Sequence, residues 1–232
     1  MTAPRYAVYF APATDSPLWR FGSSVLGYDA VTGEDVPARV PDGYTPADWH
    51  ELTAEPRRYG FHATLKAPFE LAPGRSEAQL RAFAHNCAAG LSPVPLAGLE
   101  VAALGRFVAL VPSAESVGLQ RLAFSLVQAF EPFRAPLSEA DLARRLKSPL
   151  TPAHRAYLEA YGYPYVGDAF RFHMTLSGSL PQEQVAPVKA ALAKAYADAM
   201  PTQTAMTIDR IALFKQETRT GRFRLLDSML LS

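Results

Sequence analysis

Two tripeptides, His62-Ala63-Thr64 and His173-Met174-Thr175, repeat one pattern: a titratable ring followed two residues later by a hydroxyl, inside a short apolar run. In an extended strand, side chains two apart share a face. His62, Thr64 and Lys66 are thus expected on one face, and Phe61, Ala63, Leu65 and Ala67 on the other. In the second run, His173, Thr175 and Ser177 share a face with Arg171, while Phe172, Met174 and Leu176 take the opposite one. An unperturbed imidazole titrates near neutral pH, so two histidines can divide acid and base work between them. One neutral ring removes a proton from water or a hydroxyl while the other, protonated, delivers one to a departing oxygen. The threonine hydroxyls, about 6.5–7 Å along each strand from the histidines, suit the non-bridging oxygens of a phosphate. Lys66 and Arg171 suit the charge that builds up on them.

One His-x-Thr alone is a weak signal, because a lone strand histidine is commonly satisfied by a backbone carbonyl. The repetition carries the inference. Paired histidines also ligate zinc or iron, but no carboxylate or cysteine sits near either motif on the same face, and Asp168 is the closest acid. The expected site holds no metal and calls for no cofactor. Arg57, Arg58, Tyr161, Tyr163 and Tyr165 offer charge and ring faces for a sugar or base, or serve packing. Of these, Arg58 and Tyr163, together with Ser177, are candidates for touching the substrate. His50, His85 and His154 lack the pattern and read as structural or surface residues.

The elements that must position these groups are legible in outline. Arg5 to Ala11 reads as a strand, and Pro17 to Leu26 as a helix capped by Ser16. Residues 12 to 58 are otherwise rich in Pro, Gly and Asp and read as ordered loop. After a strand over 61–71, Ser76 and Gln79 form a capping box for a helix that stops at Gly90. Runs at 94–104 and 106–112 meet at Gly105 as a hairpin. Ser113 opens a helix to about Phe130, and further helices are expected over 138–147 and 151–161, the latter started by Thr151 and Pro152 and ended at Gly162. A strand over 169–178, a helix over 182–199 and a hairpin containing Gly221-Arg222-Phe223 then mirror the strand, helix and Gly105-Arg106-Phe107 hairpin of the first copy. The chain reads as one domain of two pseudo-symmetric units, about 59–112 and 168–231, with the two motif strands facing each other across the axis.

With 232 residues, 49% hydrophobic and 19% charged, the chain suits a folded globular protein. A net charge of +1 gives no electrostatic case for wrapping a long nucleic acid, though a small phosphate ligand held by local cations fits. Cys87 is the sole cysteine, so no internal disulfide or cysteine-based zinc site can form, and the expected compartment is the cytoplasm. The apolar run near the N-terminus is too brief for a signal peptide, and no segment has the length of a membrane span.

The tetrapeptides HATL at 62–65 and HMTL at 173–176 resemble the paired motifs of the 2H phosphoesterase superfamily. RYAVYFAP, RYGFHATLKAPF and GYPYVGDAFRFHMTLSG are similar, more narrowly, to the branch associated with phosphonate metabolism and encoded beside carbon-phosphorus lyase genes. The resemblance implies an α+β fold, bilobal and duplicated, with two antiparallel sheets facing a central cleft and helices packed outside. It implies catalytic roles for His62 and His173 and phosphate binding by Thr64 and Thr175. The activity it implies is a metal-independent cyclic phosphodiesterase that opens a 2',3'- or 1,2-cyclic phosphate of a ribose-containing substrate. The alternatives are RNA 2',5'-ligase-like chemistry, or a non-catalytic protein that binds nucleotides or RNA ends.

Overall fold

The computed structural model describes residues 3–147, 149–201 and 205–232, so that 202–204 of the expected second unit lie outside the described residues. The first half of the chain runs β1 (Arg5–Phe10), α1 (Pro17–Leu26), β2 (Tyr28–Asp29), β3 (Glu34–Asp35), α2 (Pro46–Leu52), α3 (Ala54–Arg57), β4 (Ala63–Glu70), α4 (Glu77–Ala88), β5 (Val94–Leu96) and β6 (Leu99–Leu104). The second runs β7 (Phe107–Pro112), α5 (Val117–Ala129), α6 (Glu139–Leu146), α7 (Pro152–Tyr161), β8 (Met174–Thr175), α8 (Gln182–Ala199), β9 (Met206–Ile208), β10 (Arg210–Gln216) and β11 (Arg224–Leu230).

Seven strands form one antiparallel sheet in the order β11-β10-β1-β4-β8-β7-β6. The class is α+β, and the two expected sheets meet edge to edge at β4 and β8, where Ala63 pairs with Met174. The strand order is symmetric about the β4–β8 pair in a way that includes β1 and β7, one strand earlier than the Gly-Arg-Phe echo implies. β1 flanks β4 as β7 flanks β8, and each half's last long strand pairs with the other half's first, β6 with β7 and β10 with β1. A small ribbon of β5 and β9 joins the halves a second time, with Pro95 opposite Thr207. β11 is an addition on the outer side of β10. The two Gly-Arg-Phe hairpins therefore open in opposite directions, β7 toward the centre and β11 toward the edge.

Alternation sorts the strand residues between two faces. Val8, Phe10, Leu65, Leu110, Met174 and Leu213 face the helices and join Leu80, Leu122, Leu126, Val188 and Leu192 in the larger core. Ala7, Tyr9, Ala212 and Phe214 face the other way and pack with Trp19, Tyr28 and Phe223. The helix ends follow their local signals: Ser16 accepts from the Trp19 N–H, Ser76 and Gln79 form the reciprocal capping box, and Gly162 closes α7 in the left-handed conformation. α5 starts later than Ser113 implies, because the Ser113 N–H donates to the Gly98 carbonyl and Ser116 supplies the cap.

Residues 12–58 hold more structure than their composition suggests. Trp49, fully buried, donates its indole N–H to the Val25 carbonyl at 2.9 Å, and the Arg57 Nε donates to Leu26 at 2.7 Å. These two side chains fasten α2 and α3 to the C-terminal turn of α1, satisfying carbonyls that the helix leaves open. Arg57 is thereby a packing residue. The strand expected over 169–178 shrinks to two residues, since the N–H groups of Leu176 and Ser177 both converge on the Val108 carbonyl at 2.9 and 3.2 Å. A 3₁₀ turn at Gly167–Ala169 bounds it upstream.

Candidate active site

His62 enters the cleft from a tight approach. Gly60 has φ of 76°, and a Cβ there would lie 2.8 Å from the Ala30 Cβ, so the turn needs glycine twice over. Its carbonyl accepts the His62 Nδ1–H at 2.9 Å. That bond fixes the tautomer and leaves Nε2 as the acceptor, toward which the Thr64 hydroxyl donates at 3.2 Å. The imidazole lies against the Tyr9 ring with centroids 3.7 Å apart. On the other strand the His173 Nδ1–H donates to the Arg171 carbonyl at 2.7 Å, again two residues upstream, and the ring leans on Phe107 with centroids 5.6 Å apart. Both histidines are thus held by the same device, with Nε2 free of the backbone.

The antiparallel pairing of Ala63 with Met174 sets His62 across from Thr175 and Thr64 across from His173. Two adjoining cavities follow that diagonal. One, of about 210 Å³, is lined by His62, Thr175, Ser177, Tyr59 and Phe107. The other, of about 510 Å³, is lined by His173, Thr64, Arg171, Tyr163, Tyr165 and Phe107. Phe107 borders both, and each cavity has a histidine from one half and a threonine from the other.

The remaining expected residues divide. Arg171 is exposed at the rim of the larger cavity, and Tyr163 forms part of its wall. Lys66 is not in the cleft. Thr64 pairs with Tyr9 but Lys66 pairs with Val8, so Leu65 is an extra residue on β4, and this bulge turns Lys66 to the helix face. There its ammonium, 3% exposed, donates to Glu131 at 2.8 Å and to the Val127 carbonyl at 3.0 Å. Ser177 lines the smaller cavity, but its hydroxyl is occupied, accepting the Val108 N–H at 3.0 Å and donating to the Gly178 carbonyl at 3.1 Å. Arg58 donates to the Arg219 carbonyl at 3.0 Å and lines neither cavity.

Three cleft residues escaped the sequence reading. Tyr9 sits at a cleft-facing position of β1 and Phe107 at one of β7; alternation within those two strands was the available signal. His154, read as structural or surface, lines the larger cavity edge-on to Tyr165. It comes from α7, and no local pattern marks it. His50 lies against Arg57, and His85 against Asp227 at 3.0 Å, both away from the cleft.

Burial pulls the His62 pKa down to about 4, with the positive charge of a protonated His173 adding to the depression and the Gly60 carbonyl opposing it. Burial also lowers His173, against the Arg171 carbonyl. Both rings are therefore neutral at neutral pH. Among the described residues no group of three or more His, Cys, Asp or Glu side chains could hold a metal ion. No helix among them is long and apolar enough to cross a membrane.

A family model described as "Protein of unknown function (DUF1045)" matches residues 64–224. The ribose 1,5-bisphosphate phosphokinase PhnN of Janthinobacterium sp. (strain Marseille) is 40% identical over 176 residues, 76% of this chain and 39% of that protein. The protein of the same name from Laribacter hongkongensis (strain HLHK9) is 34% identical over 221 residues, 95% of this chain and 50% of that protein. The chain spans half or less of the length of these curated relatives. The structure of E. coli LigT complexed with 3'-AMP aligns over 100% of this chain and 99% of that one, at 14% identity and a TM-score of 0.46.

Proposed function

The chain belongs to the DUF1045 family, and we propose that it is a metal-independent phosphoesterase that opens a five-membered cyclic phosphate on a ribosyl compound. The observation that carries this reading is the diagonal of the cleft: His62 across from Thr175, and Thr64 across from His173, with both rings held through Nδ1 so that Nε2 is available. One Nε2 accepts a proton from water as the water oxygen bonds to phosphorus. The bond from phosphorus to a ring-closing sugar oxygen breaks, its electron pair leaves on that oxygen, and the second histidine, protonated, supplies the proton. The threonine hydroxyls donate to the non-bridging oxygens, and Arg171 at the rim offsets the charge that develops there. A phosphate anion bound between the rings favours their charged forms, which provides the protonated histidine that this step needs.

The relatives' name narrows the substrate. Hydrolysis of a ribose 1,2-cyclic phosphate at the 2-oxygen leaves a 1-phosphate, and with a 5-phosphate already in place the product is ribose 1,5-bisphosphate. That compound is the one the relatives' name specifies. A 1,2-cyclic phosphate of ribose 5-phosphate, arising in phosphonate breakdown, is therefore our preferred substrate. The 232 residues contain no Gly-x-x-x-x-Gly-Lys-Ser/Thr loop of the kind that cradles nucleotide phosphates, and phosphokinase chemistry is no part of this reading.

The test is phosphorus NMR of the purified chain with this compound and with 2',3'-cyclic AMP. The five-membered-ring signal of the first is expected to be replaced by that of a phosphomonoester. Tight binding of a 2'- or 3'-phosphate with no turnover of any cyclic phosphate would instead identify a binding protein.

A further inference from the structure

Two guanidinium groups, those of Arg5 and Arg145, face one small cavity of about 20 Å³ without an ion-pair partner of their own among the described residues. The cavity lies where β4 leaves the cleft: Ala67 lines the 510 Å³ cavity, and the next residue, Pro68, lines this one. Its wall holds Arg5, Arg134, Arg144, Arg145 and Arg219 against Glu70 and Asp141, a local excess of positive charge in a chain whose net charge is +1. Three of the five have partners. Arg134 donates to Glu131 at 2.8 Å, Arg144 pairs with Asp141 at 2.5 Å, and Arg219 holds Glu70 at 2.6 Å and Asp141 at 2.8 Å. Arg5 has only the neutral side-chain oxygen of Gln216, to which its Nε donates at 2.8 Å. Arg145 has a buried Nε with no hydrogen-bond partner among the described residues. Neither Arg5 nor Arg145 forms an ion pair among the described residues.

Arg145 also packs behind the wall of the cleft. Its guanidinium lies 5.0 Å from the centre of the Tyr163 ring, which lines the larger cavity with His173 and Thr64. The ring holds the planar cation in place without neutralising it. Burial is the largest influence on the titration of both arginines and disfavours their charged forms. Asp141 on the same wall offsets part of this burial without pairing with either guanidinium, and an anion bound beside them adds the missing counter-charge. Guanidinium groups suit phosphate in particular, through paired parallel hydrogen bonds.

We propose that Arg145, together with Arg5, binds a second phosphate group, carried on the sugar away from the phosphodiester under attack. The substrate class is then a ribosyl cyclic phosphate bearing a further phosphomonoester. This rests on the phosphoesterase reading above and makes Arg145 a specificity residue.

The test compares ribose 5-phosphate 1,2-cyclic phosphate with the same cyclic phosphate lacking the 5-phosphate. The wild-type chain is expected to favour the first in kcat/KM by at least about 30-fold, the scale of a charge-assisted contact. In Arg145→Gln the preference should fall below about 3-fold, mainly through KM, with Arg145→Lys in between. No preference in the wild type, or the same preference in Arg145→Gln, overturns the proposal. If neither compound is hydrolysed, the phosphoesterase reading fails separately, and calorimetric titration with ribose 5-phosphate decides this one. Binding by the wild type and by His62→Ala, weakened at least about 30-fold in Arg145→Gln, supports it; no binding by the wild type, or equal binding by Arg145→Gln, overturns it.

Discussion

The Tyr9 ring lies within 22° of parallel to the His62 imidazole, at a centroid distance of 3.7 Å. This contact covers one face of the imidazole, and it belongs to the enclosure that pulls the His62 pKa down to about 4. His62 therefore keeps its Nε2 lone pair throughout the neutral range, and in the proposed mechanism the protonated member of the pair forms on substrate binding.

The pH–rate profiles should show this. The kcat/KM profile reports groups of the free enzyme, in which both histidines titrate below the ordinary imidazole value. Its alkaline limb should therefore fall below about pH 6.5. The bound anion raises the pKa of the acid, so the alkaline limb of kcat should lie at higher pH. Coincident limbs in steady-state measurements would contradict the anion-induced protonation.

The same depression links folding to pH. Unfolded His62 takes up a proton as pH falls below about 6.5, whereas folded His62 does so only near 4. Its contribution to stability is complete above the unfolded value and is lost as pH falls from there toward the folded one. Urea unfolding at several pH values should show stability declining across that window, with a shallower decline in His62→Gln. Equal slopes would show that His62 titrates normally.

Loss of either motif should be severe. His62→Ala and His173→Ala are each expected to lower kcat by at least about 100-fold, the usual scale for an acid or base. Thr64→Val and Thr175→Val should each cost about 10- to 100-fold through loss of a donor to the phosphate. Thr64→Val should also shift the pH profile, because the Thr64 hydroxyl donates to the His62 Nε2. Activity that survives undiminished in either histidine variant would remove the paired-histidine mechanism, and loss of activity on adding a chelator would point to a metal.

Lys66→Met should separate stability from chemistry. It removes a buried partner of Glu131 and of the Val127 carbonyl, so a loss of about 1–3 kcal/mol is expected in denaturant unfolding. Because Lys66 lies on the helix face, kcat/KM should stay within about 3-fold of wild type, a change too small for a lost charge-assisted contact to phosphate. A larger fall in activity at unchanged stability would return Lys66 to the cleft.

Features with short-range causes were legible in the sequence. A cap and its partner lie three residues apart, so Ser16, Ser76 with Gln79, and Thr151 with Pro152 mark helix starts closely. The two His-x-Thr pairs lie side by side at the cleft because Ala63 pairs with Met174 in the sheet, a contact between strands far apart in sequence. Lys66 departs from its expected face because the bulge at Leu65 arises from pairing with β1, distant in sequence. Ser177 is diverted in the same way by Val108. Tyr9 and His154 reach the cleft only once separate elements assemble around it, and no local spacing encodes that.

The exchange of strands, β6 onto β7 and β10 onto β1, gives the two halves the topology of an interlocked dimer whose protomers share one polypeptide. In a dimer of identical subunits, any substitution appears on both sides of the axis. A single chain is released from that constraint. Tyr9 can occupy the place that Ala109 takes in the other half, one cavity can be more than twice the size of the other, and an arginine can stand beside one of them alone. Joining the halves thus permits the two sides of the cleft to differ in shape and charge.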